Sequence, residues 1–364
     1  MIEELLEIGK VRQHKIACLK QYIKEGLPII QFGNGLLAKE TKKWLSEQEE
    51  LLITDQFVSD EVKSNIQEKT FEDIKKIYDR FVVLICVANP RVVQMKCSIF
   101  RMDNQVVDVM YLGDNYPSGE AFLTMDYVKS HAKELETVYS CLEDDLSRQS
   151  MFNFLAAKLS GESRKWLNYN NAVDNAGIEY FNSLFPEVSS MVFVDGGAYD
   201  GDTYQDFIAE GLNYSRYYAF EPDETNYNKL VRSTRLDNKV ICIHRGLHSE
   251  ETVLNFDSVG TMSSKIVSDE SGNKVEVTSI DSIARDATFI KLDIEGAEMD
   301  ALEGAIHTIR EQKPHLAICA YHTISDVWRI PMLIRTLDLQ YHIYYRIHQH
   351  EWCRDLIMYA YVDK

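Results

Sequence analysis

Hydrophobic positions follow two different spacings along the chain, and the changes of spacing divide it into three segments. In residues 1–25 the apolar positions recur at helical spacing, and residues 27–45 have the pattern of a strand, a glycine turn and a helix. Three more apolar runs predict strands with helical material between them, at 51–60, 80–89 and 105–114. Since strands and helices alternate, we expect a small parallel α/β, Rossmann-like domain over residues 1–116.

The middle segment, residues 117–189, has no run of β-branched residues. Its apolar positions recur at helical spacing, most clearly in 122–142 and 151–161. We therefore predict a helical connector between two domains.

In residues 190–364 the alternation of strands and helices returns. Seven runs are candidate strands: 191–196, 216–222, 240–246, 288–293, 315–322, 341–348 and 355–362. A short polar stretch separates the last two, so we expect them to form an antiparallel hairpin. Five parallel strands and a closing hairpin predict a seven-stranded α/β sheet.

Length and charge limit the classes of protein. A chain of 364 residues is too long for one average core, which favours two domains. The formal net charge of −18 argues against a nucleic-acid partner and against an anionic membrane surface, because both bind clustered Lys and Arg. No apolar run reaches the ~18 residues that a membrane span needs.

Cysteine usage and the N-terminus indicate a cytoplasmic setting. The seven cysteines are odd in number and form no Cys-x-x-Cys pair, which favours reduced thiols. The charged, amphipathic residues 1–10 lack the apolar core of a signal peptide.

A strand that ends in an acid and two glycines is the first motif with chemical meaning. Asp195, Gly196 and Gly197 follow the run 191–194, and ligands of open α/β sheets lie at such strand ends. Glycines allow the backbone to approach a ligand closely. The acids of the following turn, Asp200, Asp202 and Asp206, would repel a pyrophosphate and suit a cationic ligand. Capping of the next helix is the alternative for Asp200 or Asp202.

The next two strands offer further ligand contacts. Glu221 ends the second strand, where a carboxylate can accept both hydroxyls of a ribose. Pro222 stops that strand. Gly246 and Leu247 end the third strand, and strand order alone places them beside an adenine ring.

Residues 290–302, IKLDIEGAEMDAL, form the second motif. Asp293 ends a strand that we expect beside the first one, so its carboxylate can orient an acceptor hydroxyl or take its proton. Glu295 follows in the turn, whereas Glu298 fits a structural role better, as a salt-bridge partner or near a helix dipole. Such carboxylates can also hold Mg²⁺, although the spacing does not require a metal.

Together, the two motifs resemble the FkbM family of S-adenosylmethionine-dependent methyltransferases, which are usually O-methyltransferases. The resemblance covers residues 190–364 and extends to 178–187. It implies a Rossmann-like class I methyltransferase fold and S-adenosylmethionine as cofactor, with a divalent metal as the less favoured addition. The cofactor-binding residues would be Asp195, Gly196, Gly197, Ala198, Asp200, Thr203, Glu221, Pro222, Gly246, Leu247 and Asp293, and the catalytic residues would be Asp293, His322 and Glu295.

Histidines lie at the same predicted edge of the sheet. His322 follows the fifth strand and can accept a hydroxyl proton at neutral pH. The Tyr321-His322 pair also resembles the family pattern. His348 and His350 lie near the hairpin tip, where a metal would lack a third ligand. In the polar segment 259–266, Thr261, Ser263 and Ser264 are candidate acceptor contacts or an ordinary loop.

The N-terminal segment carries a competing motif. Gly33, Gly35 and Ala38 match G-x-G-x-x-A between a strand and a helix, and Asp55 follows near the end of the next strand. This spacing is typical of dinucleotide sites. The alternative function is therefore an NAD-dependent or nucleotide-sugar-binding protein, although we prefer an accessory domain.

The sequence thus predicts S-adenosylmethionine-dependent methyl transfer to a hydroxyl of a sugar, glycan precursor or secondary metabolite. The expected partner is a small-molecule or glycan acceptor, with neither nucleic acid nor membrane, and the oligomeric state is not determined by the sequence.

Overall fold

The computed structural model describes residues 1–63, 67–113, 122–162, 177–186, 190–257, 265–267, 273–348 and 355–363. The chain forms two compact units. The first comprises residues 1–136, 152–170 and 349–353, and the second comprises 137–151, 171–348 and 354–364.

The first unit is built on a four-stranded parallel sheet. Its elements are α1 (Ile2–Lys24), β1 (Ile29–Phe32), α2 (Leu36–Gln48), β2 (Asp55–Phe57), α3 (Phe71–Ile77), β3 (Phe81–Ile85), α4 (Pro90–Arg101), β4 (Val106–Tyr111) and α5 (Met125–Ser130). The strand order is β2-β1-β3-β4, with every pair parallel. The predicted strands and their parallel arrangement are confirmed.

Both faces of this sheet are covered. Every residue of β1 and β3 is buried, as expected of parallel strands with helices on each side. Successive residues of β3 alternate between two apolar clusters: Val82 and Leu84 pack in one, and Val83 and Ile85 in the other.

Helices occupy the predicted connector. They are α5, α6 (Ala132–Cys141) and α7 (Asp145–Ser160), and their residues are divided between the two units. The predicted boundaries near residues 116 and 189 fall in 114–121 and 187–189, outside the described residues.

The second unit contains the larger sheet. Its further elements are β5 (Met191–Gly196), α8 (Asp202–Ala209), β6 (Tyr214–Phe220), α9 (Glu224–Thr234), β7 (Val240–Ile243), β8 (Gly246–Leu247), β9 (Thr252–Asp257), β10 (Lys265–Val267), β11 (Asn273–Thr278), α10 (Ile280–Ile283), β12 (Phe289–Leu292), α11 (Glu298–Glu303), α12 (Ile306–Gln312), β13 (His315–Cys319), α13 (Asp326–Thr336), β14 (His342–Ile347) and β15 (Leu356–Tyr361).

Seven strands form this sheet in the order β14-β15-β13-β12-β5-β6-β7. The pairs from β7 to β13 are parallel, whereas β15 runs antiparallel to both β13 and β14. The predicted seven-stranded sheet with its hairpin is confirmed. The chain leaves β5 toward β6 and β7 and later returns to its other side at β12. This reversal of strand order opens a crevice at the carboxyl ends of β5 and β12, where such sheets bind ligands.

Stacked aromatic rings fix the strands beneath this crevice. Phe193 of β5 lies opposite Tyr217 of β6 and Phe289 of β12. Its ring centroid is 4.9 Å from that of Tyr217 and 4.8 Å from that of Phe289, and both pairs are stacked. Aromatic pairs of this kind add to the stabilisation that burial supplies. The residues that follow on these strands are therefore held in a defined register.

A second, small sheet of order β10-β9-β11-β8 was not predicted. The sequence of β9, TVLNFD, has no regular apolar alternation, and Thr252 and Val253 are exposed. β8 pairs with β11, which places Gly246 opposite Val277 and Leu247 opposite Thr278. The candidate contacts Thr261, Ser263 and Ser264 lie outside the described residues.

Within the described parts of the chain, every helix is too short or too polar to cross a bilayer.

Candidate active site

A buried ion pair anchors the glycine loop that follows β5. Asp195 is fully buried, and its Oδ1 lies 2.9 Å from Nζ of Lys291, its register partner on β12. The Tyr217 hydroxyl donates to the other oxygen, Oδ2, at 2.7 Å. Lys291 also donates to the carbonyl oxygens of Gly196 (3.2 Å) and Gly197 (3.0 Å). One lysine therefore ties β12 to the loop.

The charge of Lys291 is secured by its surroundings. Burial lowers the pKa of its amine, but Asp195 and then Asp293 outweigh that effect, and the pKa lies above its ordinary value. The sequence analysis missed this residue. The signal was present, because Lys291 is the single charged residue of the otherwise apolar strand FIKL, and a lysine is almost never fully buried without a partner.

The structure changes the roles predicted for Asp195 and its glycines. Both oxygens of Asp195 face Lys291 and Tyr217 instead of the crevice, so we assign it a positioning role in place of direct cofactor contact. Gly197 has φ +75°, and a Cβ there would overlap the Asp293 carbonyl oxygen. A Cβ on Gly196 would lie 2.7 Å from Leu292 Cδ2. These glycines therefore allow the loop backbone to lie close to the end of β12.

Gly197→Ala is therefore expected to lower the free energy of unfolding by at least about 2 kcal/mol more than Gly211→Ala. Gly211 is a matched control, since it also has positive φ (+67°) but open space where a Cβ would lie. Its substitution should cost only the left-handed penalty of about 1–2 kcal/mol. Urea unfolding of both variants measures the difference, and equal costs would show that the loop does not press on β12 as described.

Glu221 joins the glycine loop to the end of β6. Its Oε2 accepts the backbone N–H of Tyr199 at 2.9 Å, and its Oε1 accepts that of Asp223 at 2.8 Å. Burial raises the pKa of this carboxyl group to about 7, although the two backbone bonds oppose the shift. A carboxylate has further lone pairs, so ribose hydroxyls can still bind. The predicted contact remains a prediction.

Most other predicted cofactor contacts surround this loop. A Cβ added to Gly246 would lie 3.8 Å from Pro222 Cβ. A Cβ added to Gly196 would lie 2.8 Å from Leu247 Cδ1. Ala198 and Thr203 are buried beside them. Gly201, which has φ +94°, is the N-cap of α8 and has no side chain to cap that end. Asp202, at the first position of the helix, is exposed, and its Oδ1 accepts the N–H of Thr203 at 2.7 Å.

The turn after β12 is organised by Glu298. This side chain is fully buried, and its carboxylate accepts the N–H groups of Ile294 (2.9 Å) and Gly296 (3.0 Å). Its Oε1 also lies 2.8 Å from Nδ1 of His322. The geometry agrees with the structural role expected for Glu298. Between the two N–H groups, Glu295 has φ +56°, a conformation that a non-glycine residue adopts only when its surroundings impose it.

Asp293, Glu295 and His322 meet at the crevice, as the sequence predicted. Nε2 of His322 lies 3.4 Å from Asp293 Oδ1 and 3.6 Å from Glu295 Oε2. The Tyr180 hydroxyl donates to Asp293 Oδ2 at 2.9 Å, and the Tyr321 hydroxyl lies 3.4 Å from Oδ1. These contacts place two carboxylates and one imidazole beside the end of the glycine loop.

Neighbouring charges and burial have opposite effects on the pKa values of these three residues. Burial lowers the pKa of His322, but Glu298 and then Asp293 outweigh it and raise that pKa to about 10. Burial raises the pKa of Glu295 to about 7. Burial also raises the pKa of Asp293, yet His322 and Lys291 bring it below its ordinary value. The neighbouring carboxylates therefore favour the protonated form of His322, and its role as the proton acceptor stays a prediction.

Tyr180 is a second residue that the sequence analysis missed. It precedes β5, has φ +60°, and donates its N–H to the Tyr359 hydroxyl at 3.0 Å. Its ring lies 5.2 Å from Nζ of Lys291, and its own hydroxyl reaches Asp293. Its positive φ has no signature in the sequence, since tyrosine rarely adopts that conformation.

His348 is partly buried and hydrogen-bonded within the second unit. Its Nε2 lies 2.7 Å from the Tyr359 hydroxyl, and burial lowers its pKa to about 4. It is therefore a neutral histidine used within the fold. His350 and the hairpin tip, 349–354, lie outside the described residues.

The N-terminal glycine motif has an explanation within its own unit. Gly33 has φ +117°, and a Cβ there would lie 2.6 Å from the Cys86 carbonyl oxygen, so the glycine is required for packing after β3. Asp55 accepts hydrogen bonds from Lys69 and from the Tyr78 hydroxyl. Burial raises the pKa of Asp55, but Lys69 outweighs it and lowers that pKa. These contacts account for both residues without a nucleotide.

Comparisons with known proteins agree with the fold of the larger sheet. Residues 195–346 match the family model described as the methyltransferase FkbM domain. The structure is similar to that of methyltransferase FkbM from Methylobacillus flagellatus KT, with 20% identity, a TM-score of 0.73, and coverage of 99% of this chain and 98% of that one. At this identity the likeness shows the fold.

Two weaker likenesses involve about half of the chain. A fibrillarin/Nop5p complex is 14% identical, with a TM-score of 0.32 over 48% of this chain and 73% of that one. A putative rRNA methylase from Clostridium thermocellum is 12% identical, with a TM-score of 0.33 over 50% and 91%. Neither score supports an argument, and no curated protein matches the chain. Residues 195–346 of the chain therefore form a methyltransferase FkbM domain.

Proposed function

We propose that this protein transfers the methyl group of S-adenosylmethionine to a hydroxyl of a small-molecule or glycan acceptor, such as a sugar, a glycan precursor or a secondary metabolite. The observation that carries the proposal is the meeting of the glycine loop and the Asp293 turn at one crevice. An added Cβ on Gly197 would overlap the Asp293 carbonyl, so the two motifs are in direct contact. Cofactor and acceptor can therefore lie side by side.

The residues present fit the charge of this cofactor. Asp200 and Asp202 follow the glycine loop, and Glu221 stands behind it. Carboxylates attract the ammonium and sulfonium groups of S-adenosylmethionine and repel a pyrophosphate. Glu221 would bind the ribose hydroxyls, while Pro222, Gly246 and Leu247 would lie against the adenine. This charge pattern favours the methyl donor over NAD in the second unit.

When bound, S-adenosylmethionine would supply an electrophilic methyl group: a C–O bond would form to the acceptor oxygen, the C–S electron pair would go to sulfur, and the hydroxyl proton would pass to the carboxylate of Asp293. The protein needs mainly to align the reacting atoms. Asp293 and Glu295 have partly exposed side chains (28% and 26%) and can hold the acceptor hydroxyl. Lys291 and Tyr180 hold Asp293 and the loop in position.

Methyl-labelled S-adenosylmethionine tests the proposal directly. The intact protein is incubated with the labelled donor and a panel of sugars, nucleotide sugars and hydroxylated metabolites. We expect S-adenosylhomocysteine and a labelled ether with at least one acceptor class. Transfer to nitrogen or to nucleic acid would contradict the proposed chemistry.

Affinity for S-adenosylmethionine is expected to rise with pH because of Glu221. Because the pKa of Glu221 is about 7, its carboxyl group is mostly protonated below neutral pH. It must lose this proton before it can accept both ribose hydroxyls. Between about pH 8 and about pH 6 we expect the affinity to fall by up to about 10-fold. Calorimetric titrations at both pH values measure the change. In Glu221→Gln the affinity should no longer change between these two pH values. If the affinity of that variant still changes as it does in the parent protein, the pH dependence comes from the ligand and not from Glu221.

A further inference from the structure

We propose that the first unit binds the diphosphate of a nucleotide at the turn between β1 and α2, as it occurs in ADP, UDP, NAD⁺ or a nucleotide sugar. The site lies within the first unit and is independent of the proposed methyl transfer. Gly33 and Asp55, whose contacts within the unit already explain them, do not carry the inference.

The turn lies where the four-stranded sheet can accept a ligand. The chain passes from β1 to β2 on one side, and β3 then lies on the other side of β1. Such a reversal of strand order opens a crevice at the carboxyl ends of the two central strands, here β1 and β3, which is where open α/β sheets bind ligands. The turn that joins β1 to α2 borders this crevice.

The N-terminus of α2 suits an anion. Gly35 is the N-cap of this 13-residue helix, its first turn contains no acid, and among the described residues no side chain caps it. The first N–H groups of a helix have no partner within the helix and carry a partial positive charge, so they bind phosphate well. Lys96 of α4 adds a full positive charge, because its Nζ lies 5.7 Å from the ring centroid of Phe32, the last residue of β1.

The glycine at position 35 is not required by the fold. Its φ is −73°, an ordinary value, and no atom of the described residues lies within 4 Å of the position that a Cβ would take. Gly35 is exposed, and so is its apolar neighbour Leu36. A glycine without a conformational or packing requirement allows a ligand to approach the backbone closely. The open space in front of Gly35 is therefore the phosphate position of the proposed site.

A buried glutamine supports the site independently. Gln31 of β1 is 2% exposed, and its Nε2 donates to the Gly33 carbonyl oxygen at 3.2 Å, so its amide group lies against the turn. Its Oε1 accepts no hydrogen bond from any described residue. A buried acceptor without a donor is costly, and such groups usually bind water or a ligand. A water that donates one hydrogen to this oxygen can donate the other to a phosphate.

Glu68 replaces Asp55 as the candidate partner of a ribose. Asp55 is the first residue of β2 and therefore lies away from the carboxyl end of that strand. Glu68 Oε1, in contrast, accepts the side-chain N–H of Asn34, inside the glycine turn, at 2.8 Å. A carboxylate beside such a turn can accept ribose hydroxyls. This contact favours a nucleotide over a free phosphate.

Calorimetric titration of the intact protein with ADP, UDP, NAD⁺ and UDP-glucose tests the site. Each titration contains saturating S-adenosylhomocysteine, so that adenine nucleotides cannot occupy the proposed cofactor site of the second unit. We expect one nucleotide per chain, and the tighter ligand of NAD⁺ and UDP-glucose identifies the source of the diphosphate. Inorganic pyrophosphate, which lacks the ribose, should bind at least about 10-fold more weakly than that ligand.

The variant Gly35→Asp tests the phosphate position. Aspartate is a preferred N-cap residue and has open space here, so the variant is expected to fold at least as well as the parent protein. Its carboxylate would occupy the N–H groups of α2 and repel a phosphate, so nucleotides and pyrophosphate should both bind at least about 10-fold more weakly. Thr124→Asp is the matched control, because it adds the same charge at the N-cap of α5, and it should bind normally.

Two further variants test the individual side chains. Glu68→Gln should weaken nucleotide binding about 10-fold and leave pyrophosphate binding unchanged, because only the ribose contact is lost. Gln31→Leu, which keeps a side chain of similar size, should weaken the binding of both.

The absence of nucleotide binding at millimolar concentration, or an affinity that Gly35→Asp leaves unchanged, would overturn the site. Pyrophosphate that binds as tightly as every nucleotide would overturn the assignment of a nucleotide. Binding of S-adenosylhomocysteine is measured on the same samples. Its failure would contradict the proposed function and leave the nucleotide site standing.

Discussion

Lys291→Met is expected to lower the free energy of unfolding by about 3–5 kcal/mol, because it leaves Asp195 charged and buried without its partner. Lys291 Nζ also donates to the carbonyl oxygens of Gly196 and Gly197, so its loss should release the glycine loop and weaken cofactor binding as well. Urea unfolding followed by circular dichroism measures the stability. Lys229→Met, which removes an exposed lysine on α9, serves as the control and should change it little.

A double variant separates the charge from the packing. In Lys291→Met with Asp195→Asn, the neutral amide still accepts the Tyr217 hydroxyl, and position 195 no longer carries a buried charge. We expect this protein to recover at least about 1.5 kcal/mol relative to Lys291→Met alone. If the second substitution adds to the damage, the ion pair is not what stabilises the loop.

Glu221→Ala is expected to weaken S-adenosylmethionine binding by about 10- to 100-fold, since hydrogen bonds to a charged group contribute about 1.5–3 kcal/mol. The loss has two sources: the ribose hydroxyls lose their acceptor, and the N–H groups of Tyr199 and Asp223 lose theirs. Calorimetric titration measures the dissociation constant. Asp206→Ala, at an exposed position of α8, should bind the cofactor as the parent protein does.

The variant Glu221→Gln distinguishes the two sources. Its amide oxygen can still accept one backbone N–H, so the loop should keep its conformation while the charge is lost. We expect an affinity between those of the parent protein and Glu221→Ala. Parent-like affinity in both variants would remove Glu221 from the cofactor site.

The main sheets were predictable because their strands are buried runs. β3 and β13 are buried at every residue, and such continuous apolar runs stand out in a sequence. The small sheet from β8 to β11 was not, because β9 is partly exposed and the segment between β9 and β10 is polar. A strand with little buried surface leaves a weak pattern.

The sequence predicted which residues form the candidate site better than it predicted what each residue does there. Parallel strands end at one edge of a sheet, so Asp293 and His322 could be placed together from strand order. Whether Asp195 faces a ligand or a lysine depends on Lys291, which lies 96 positions away. Likewise, Tyr180 reaches Asp293 from 113 positions away. Such contacts follow from the tertiary fold and not from local spacing.

Calorimetric titration of the purified protein with S-adenosylmethionine, S-adenosylhomocysteine and NAD⁺ is the most direct test of the central claim. We predict that the first two bind with a stoichiometry of one per chain and that Glu221→Ala weakens both. Binding of NAD⁺ alone, lost on Gly35→Asp, would contradict the claim and assign ligand binding to the first unit.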